Sequence, residues 1–161
     1  MKVIKNKNIS HKGSKEYLIS FLKQHHLSVT EPRIKILKLF QNCGSALENS
    51  LIEKKTRHQL NRITVYRTLQ SFLKNGIIHS IPSYDDSIRY ALCKRDCDEH
   101  AHHDNHPHFI CEKCGETICL NKTGISIIQL PKGYNVHRTD AIITGICNIC
   151  KAAKMIKRIE K

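Results

Sequence analysis

Apolar residues recur at helical spacing along the first half of the chain, and this pattern predicts a domain of four helices. Thr30 is a favourable N-cap for the second helix, and Asn61 immediately precedes the fourth. Gly44 and Gly76 lie just beyond the ends of these two helices, where glycine commonly terminates a helix. The first helix is predicted from Ser14 and a short third helix over 47–55, and the residues predicted to face the core are Tyr17, Leu18, Phe21, Leu22, Ile34, Leu37, Leu39, Phe40, Val65, Leu69, Phe72 and Leu73.

Two β-prone runs, 77–81 and 87–92, follow the fourth helix and are joined by a polar turn at 82–86. Helices that end in a β-hairpin have the outline of a winged helix-turn-helix, so we assign this domain to residues 14–92. The first turns of the fourth helix leave basic and hydroxyl side chains outside. Such a face suits either a helix that enters the DNA major groove or an ordinary solvated surface. The outward residues are Arg62, Thr64, Arg67, Thr68 and Lys74.

The rest of the chain divides into a terminal arm, a hinge and a second domain. Residues 1–13 are basic without an apolar period and are predicted to form a flexible arm. Residues 93–105 are rich in histidine and cysteine and are assigned as a hinge. Residues 106–161 are predicted to form a small α/β domain, which puts the chain in the α+β class. Within that domain we predict strands at 106–111 and between 134 and 145, a short helix within 122–130 and a helical tail over 151–161.

Potential metal ligands are concentrated between residues 93 and 119, where five cysteines and five histidines fall within 27 residues. Thiolate sulfur together with neutral imidazole is the ligand combination that zinc prefers. Cys111 and Cys114 are separated by two residues, and Cys147 and Cys150 repeat that spacing. A disulfide framework and a redox pair are the alternatives, but two pairs of equal spacing favour a structural Cys₄ zinc site. Four thiolates around zinc leave no position open for catalysis.

The remaining cysteines and histidines exceed what one closed ion needs, so we predict a second metal site. His106 and His108 alternate, which on a strand points both imidazoles to the same face. The alternative is a solvated histidine-rich loop that binds metal loosely. Cys43 is far in sequence from the other cysteines, and we predict a small buried apolar residue there rather than a ligand.

The charge balance points to a polyanionic partner. The chain of 161 residues carries 27 basic and 14 acidic residues, a net charge of +13, and nucleic acid is the most common polyanion inside cells. No run of 18 apolar residues occurs, and the N-terminus lacks the apolar segment of a signal peptide. We therefore expect a soluble cytoplasmic protein with no membrane partner. Cysteines arranged as metal knuckles also fit a reducing compartment.

Four motifs in order carry a resemblance to a known family. The fourth helix, which resembles the recognition helix of the ferric uptake regulator superfamily, contains RITVYRTL at 62–69 followed by NGII at 75–78. The second helix of that superfamily is matched by TEPR at 30–33. Its metal-binding half is matched by HPHFICEKCG at 106–115 and by GICNIC at 145–150.

The resemblance implies a homodimeric, metal-responsive transcriptional repressor that binds inverted-repeat operators in double-stranded DNA. It implies neither an enzyme nor a small-molecule substrate. The Cys₄ zinc would stiffen the dimerisation domain, and a second metal at the hinge would hold the winged helices in their DNA-binding posture. Tyr66 would contact bases, Arg67 would contact phosphate, and Arg33 would anchor the DNA backbone or minor groove. Further DNA-contact candidates are Arg62, Thr64 and Thr68.

The ligands of the second site favour the zinc-responsive branch of the superfamily. In that branch the ligands come from the first wing strand, from a cysteine that ends the second, and from the His-x-His strand. The residues that stand in those places are His79, Cys93, His106 and His108, with Cys119, Glu99 and Cys97 as further candidates. A thiolate favours zinc, whereas branches that sense iron or peroxide use mostly histidine and carboxylates. His79 alone has a second interpretation, an exposed polar residue on an alternating strand.

We therefore predict a zinc-responsive repressor of metal-uptake genes that carries one structural zinc and a second divalent metal, Zn²⁺ or alternatively Fe²⁺ or Mn²⁺. An iron- or peroxide-responsive regulator is the competing interpretation within the superfamily. A zinc-storage protein or metallochaperone is the competing interpretation from another class, but it would not explain the basic helix and wing. The sequence lacks the His-x-Glu and Pro-Cys-x-x-Cys motifs of zinc deaminases and the His-Glu-x-x-His of zinc proteases, which argues against an enzyme.

Overall fold

The structure, a computed structural model, describes residues 14–83, 87–93, 106–120, 123, 130–136 and 139–159, with the backbone alone for 154–159. The predicted arm at 1–13 lies outside the described residues, as does most of the hinge assigned to 93–105. The hinge residues Cys97 and Glu99 therefore remain predictions. The short helix predicted within 122–130 falls almost entirely outside the described residues as well.

Four helices form the N-terminal half, and their bounds follow the capping residues. They are α1 (Lys15–Gln24), α2 (Glu31–Cys43), α3 (Asn49–Thr56) and α4 (Arg62–Lys74). The Ser14 hydroxyl accepts a hydrogen bond from the Tyr17 N–H at 3.2 Å, and Asn61 Oδ1 accepts one from the Thr64 N–H at 2.8 Å. Each cap satisfies an N–H group that has no partner within its helix. Gly44 ends α2 with a φ of 65°, a conformation that glycine adopts without strain.

The core of this half lies where α1, α2 and α4 meet the first sheet. Its largest fully buried side chains include Phe40, Phe72, Leu18, Leu22, Ile36, Leu37 and Leu69. The predicted apolar face of α2 was partly wrong, because Ile36 is fully buried while Ile34 and Leu39 are only partly buried. Both sets recur at helical spacing, so which one faces inward depends on where α1 and α4 pack.

Three short strands form the first sheet. They are β1 (Leu47–Glu48), β2 (Ile78–Ile81) and β3 (Arg89–Leu92), all antiparallel in the order β1-β3-β2. The pairing of β2 with β3 confirms the predicted hairpin. The helix predicted from Leu47 instead starts at Asn49, because Leu47 pairs with Tyr90 in the sheet and is buried there.

A second sheet forms the C-terminal half, with β4 (His108–Cys111) between β5 (Thr117–Cys119) and β6 (Ile142–Gly145). The pairing of β4 with β5 is antiparallel and that with β6 is parallel. The helix α5 (Asn148–Ile159) follows, as predicted for the tail. The strand predicted near Tyr134 is not formed, and residues 134–136 are exposed.

The two halves meet through a backbone hydrogen bond in which the Ala46 N–H donates to the Thr117 carbonyl at 3.1 Å. This bond attaches the segment before β1 to the start of β5, so the edges of the two sheets lie side by side. Among the described residues, none of the helices is both long and apolar enough to cross a membrane.

For two side chains the observed burial is the reverse of the predicted one. Thr68 was predicted to face outward but is buried, and its hydroxyl donates to the Thr64 carbonyl at 2.8 Å. A threonine can bury its hydroxyl inside a helix by this bond to the preceding turn. Cys43 was predicted to be buried but is exposed, because it is the last residue of α2 and projects beyond the core.

Candidate metal centres and the exposed face of the fourth helix

The two cysteine pairs meet where β4 and β6 end together. Cys111 closes β4 and Cys114 lies in the turn after it, whereas Cys147 and Cys150 flank the start of α5. The parallel register pairs Cys111 with Gly145, which puts the two turns next to each other. All four sulfur atoms lie within 4.8 Å of one another. The structure thus brings together the four cysteines that the sequence predicted as one site.

The spacing of these sulfurs fits a single tetrahedral ion. Cys114 Sγ and Cys147 Sγ are 3.8 Å apart, far longer than a disulfide bond of about 2.05 Å. Four sulfurs at about 2.3 Å from a tetrahedral zinc would be separated by about 3.8 Å. The donor set and its geometry therefore match a structural zinc site.

Backbone amides and burial affect the charge of these thiols in opposite ways. The Cys147 N–H donates to Cys111 Sγ at 3.3 Å, which stabilises the thiolate and lowers the pKa of Cys111 to about 6. Burial, together with the neighbouring sulfurs, raises the pKa of Cys150 to about 12. Four adjacent thiolates repel one another, so full ionisation of this cluster requires a cation between them.

A second cluster draws its side chains from both halves of the molecule. His79 lies on β2 of the first sheet, His106 and His108 precede and begin β4, and Cys119 ends β5. Their ligand atoms also lie within 4.8 Å of one another. His79 Nε2 is 3.1 Å from His108 Nε2 and 3.8 Å from Cys119 Sγ. Three imidazoles and one sulfur form a donor set that suits zinc.

The burial of the imidazoles supports a metal centre rather than a solvated loop. The three histidines are buried, and the His79 side chain is only 8% exposed. This excludes the interpretation of His79 as an exposed polar residue of the wing. The rings of His106 and His108 lie 4.6 Å apart between centroids, as expected for alternate residues on one face of a strand.

Cys93 lies next to this cluster. Its sulfur lies 3.6 Å from His79 Nδ1, whereas Cys119 and His108 approach the other ring nitrogen, Nε2. Three members of the predicted set are thus brought together with Cys119, which pairs directly with His108 between β5 and β4. The role of Cys93 as a ligand remains a prediction. The pairing of Cys119 with His108 is not visible in the sequence.

Comparisons with known proteins agree with this arrangement. The sequence model described as "Ferric uptake regulator family" matches residues 24–141. The chain belongs to the ferric uptake regulator family. It is 31% identical over 142 residues to a ferric uptake regulation protein of Neisseria meningitidis, covering 83% of this chain and 93% of that protein. A ferric uptake regulation protein of Staphylococcus aureus is 30% identical over 137 residues, covering 83% of this chain and 95% of that protein.

Solved structures of the family share the fold at low sequence identity. One is described as a zinc uptake regulator complexed with zinc and DNA, and it is 20% identical with a TM-score of 0.59. The matched region covers 87% of this chain and 94% of the chain in that structure. The ferric uptake regulator of Vibrio cholerae is 23% identical with a TM-score of 0.55, over 80% and 98% of the two chains. The predicted α+β fold and family are confirmed, and members of this family are metal-responsive DNA-binding transcription regulators rather than enzymes.

In a DNA-binding family, the exposed face of α4 is the candidate recognition surface. Arg62, Tyr66 and Arg67 are exposed there, and Thr64 is half-buried beside its cap. Arg62 Nε lies 3.3 Å from Glu53 Oε1 of α3, which holds the guanidinium at the edge of this face. Thr68 is buried and leaves the set of candidates. Sequence reasoning missed Ile63, which is exposed in the first turn of α4.

Arg33 is engaged within the protein. Its guanidinium donates to the Ser28 carbonyl at 2.7 Å and to the Ser71 hydroxyl at 3.1 Å. These bonds connect the loop before α2 to the C-terminal half of α4, so the side chain helps to set the position of the candidate recognition helix. A DNA contact by Arg33 stays a prediction from the family resemblance.

Proposed function

We propose that this protein is a zinc-responsive repressor that binds inverted-repeat operators as a homodimer and controls genes of metal uptake. One observation carries the proposal. The ligand atoms of His79, from the first sheet, lie within 4.8 Å of those of His106, His108 and Cys119, from the C-terminal half. A side-chain cluster that takes ligands from two halves can couple metal binding to the posture of those halves. A site confined to one half could not do so.

The path from the cluster to the DNA-reading face is short. His79 lies on β2, and β2 follows α4 directly and packs against it. Binding of one ion by ligands of both sheets would restrain β2, and with it α4, relative to the second half. By linkage, the metal can strengthen DNA binding only through its different affinity for the two postures. Such coupling is typically about 1–3 kcal/mol, or roughly 5- to 150-fold in affinity.

The donor set supports zinc as the sensed metal. The descriptions of solved relatives include a zinc uptake regulator and a zinc-bound manganese uptake regulator, so family membership alone leaves the metal open. A thiolate such as Cys119 favours zinc over manganese, which prefers oxygen ligands. Fe²⁺ and Mn²⁺ are the competing ions. Storage of zinc is less well supported, because it gives no role to the exposed basic side chains of α4.

The Cys₄ cluster and the surface around it support a dimer. The proposed structural zinc, held by Cys111, Cys114, Cys147 and Cys150, would fix α5 to the second sheet. Next to it, this half exposes large apolar side chains that a second copy could cover. They are Ile118, Ile143, Ile146 and Ile149. The proposal also requires a reducing compartment, since oxidation of the four thiols would prevent them from holding the ion.

The proposal is tested by DNA binding at controlled metal concentrations. Protein that carries only the structural zinc would be titrated with buffered Zn²⁺, Fe²⁺ and Mn²⁺ while its binding to duplexes selected from a random pool is measured. Affinity should rise with zinc at the lowest free concentration. The Cys119→Ser variant should lose most of this response, and the matched Cys43→Ser variant, which changes an exposed cysteine outside both clusters, should keep it. Activation by iron or manganese but not by zinc would contradict the assignment.

A further inference from the structure

Three large apolar side chains are exposed together beside the candidate recognition helix. Ile63 and Tyr66 on α4 are 64% and 61% exposed, and Ile88 just before β3 is 51% exposed. All three line one shallow depression on the surface, which we call the apolar patch. Its rim is polar and of mixed charge, and it is formed by Arg62, Glu48, Glu53, Ser50 and Asn49. Apolar side chains grouped on one face can be covered when another molecule binds there.

The backbone holds the apolar patch in place. Ile63 and Tyr66 are three residues apart on α4, so their side chains lie on the same face of the helix. The carbonyl of Ile88 accepts a hydrogen bond from the Asn49 N–H at 3.0 Å, which ties the segment before β3 to the start of α3. Tyr90 is buried next to them. Isoleucine also has few side-chain rotamers, so little entropy is lost when the patch is covered.

We propose that Ile63 and Ile88, on either side of Tyr66, read thymine methyl groups in the major groove of the operator. This inference rests on the proposed DNA binding by α4. The methyl group of thymine is the apolar group that a base pair displays in the major groove. Arg62 is paired with Glu53 at the rim, so the attraction for DNA comes from the exposed Arg67 on the same helix and from the net charge of +13.

The apolar patch would add base specificity that the cations cannot supply. Contacts of arginine with phosphate position a protein on DNA but carry no direct information about sequence. Burial of a methyl group against isoleucine discriminates thymine from cytosine and from uracil. Each such methyl group corresponds to roughly a fourfold change in affinity. Operators with thymine at the positions opposite Ile63 and Ile88 should therefore bind in preference to others.

The test replaces thymine with uracil, which has the same hydrogen-bonding edge but no methyl group. A duplex selected from a random pool by the zinc-loaded wild-type protein would be prepared with each thymine replaced in turn. Wild-type affinity should fall roughly fourfold at the positions that the apolar patch reads. The Ile63→Ala variant should lose this penalty at one position, and the Ile88→Ala variant should lose it at another.

Two control variants make the outcome specific. Leu51→Ala removes an aliphatic side chain that is 37% exposed on α3 outside the patch, and it should leave every uracil penalty unchanged. Ile63→Val keeps a branched side chain and should retain part of the penalty. Sedimentation of each variant would show whether the patch instead contacts a second copy of the chain.

Three results would overturn the inference. One is a uracil penalty in Ile63→Ala and Ile88→Ala equal to that of the wild type at every position. Another is a wild-type protein that binds thymine and uracil duplexes equally. The third is a change of oligomeric state in Ile63→Ala with unchanged uracil penalties, which would assign the patch to a protein contact. Failure of the wild type to bind any duplex would overturn the proposed function itself, and is therefore distinguishable.

Discussion

The two metal-ligand clusters of this molecule differ in where their residues come from. The Cys₄ cluster takes its side chains from the end of β4, the turn after it and the start of α5, all within the C-terminal half. The cluster of His79, His106, His108 and Cys119 combines the two sheets. A site within one unit can stabilise that unit but has no second unit to move. A site shared between two units responds to their relative position, which is what a sensor requires.

The two clusters also differ in the donor atoms that they offer to a metal ion. Four thiolates complete the shell of a zinc ion and bind it persistently, which suits a structural role. Three imidazoles with one thiolate carry less negative charge, and their binding releases fewer protons. We therefore expect the two sites to differ in function as well as in composition. The following predictions separate them, beginning with the largest expected effect.

Substitution Cys114→Ser should remove the structural zinc and unfold or monomerise the C-terminal half. Zinc binding of this kind is itself folding free energy, and a hydroxyl does not replace a thiolate. Zinc content per chain, sedimentation and thermal melting would be measured together. Cys43→Ser is the matched control, because Cys43 is exposed and lies outside both clusters. A stable dimer with full zinc content in Cys114→Ser would show that the Cys₄ assignment is wrong.

Substitution His79→Ala should abolish the metal response of DNA binding while it leaves the fold and the structural zinc intact. The loss should reach the roughly 5- to 150-fold range that coupling between sites usually spans. Cobalt substituted at this site would report the sulfur ligand through its charge-transfer absorption. That band should disappear in Cys119→Ser and persist in Cys93→Ser. The opposite pattern would show that Cys93, and not Cys119, is the sulfur ligand.

Substitutions on α4 should change DNA binding without changing either metal site. Arg67→Ala should weaken binding to all sequences. The slope of log affinity against log salt concentration should fall by about one, the amount expected for one lost phosphate contact. Tyr66→Ala should instead relax sequence preference, because its ring faces bases in this proposal. Titrations at several salt concentrations would distinguish the two effects. Identical salt slopes and identical preferences in the wild type and both variants would place the DNA contact elsewhere.

Substitution Asn61→Ala should destabilise the N-terminal half by about 1 kcal/mol, the usual cost of removing an N-cap side chain. Asn61 Oδ1 accepts the Thr64 N–H at 2.8 Å in the first turn of α4. The effect should be the same with and without the second metal, since neither residue belongs to a metal cluster. Denaturant melting of the zinc-loaded and partly loaded protein would test this. If the loss of unfolding free energy in Asn61→Ala depended strongly on the second metal, the cap of α4 would be coupled to the metal site, contrary to this prediction.

Much of the N-terminal half could be predicted because its signals are local. Asn61 and Gly76 bound α4 as expected, since caps and helix-ending glycines act on adjacent turns. Errors occurred where burial depends on a distant neighbour. Ile36 and Thr68 are buried by the helices and sheet that pack around them, and helical spacing alone permitted either face to be inside.

Sequence by itself determined the family, the winged-helix and α/β organisation, and the Cys₄ cluster, because each depends on motifs in a fixed order, and the two cysteine pairs share the same spacing. Tertiary structure alone decided that Cys119 joins His79, although the two are forty residues apart. That contact depends on the pairing of β5 with β4 and on the packing of two sheets, which no spacing encodes. Tertiary structure also decided that Ile63 and Ile88 line one depression, because this depends on how α4 packs beside the segment before β3.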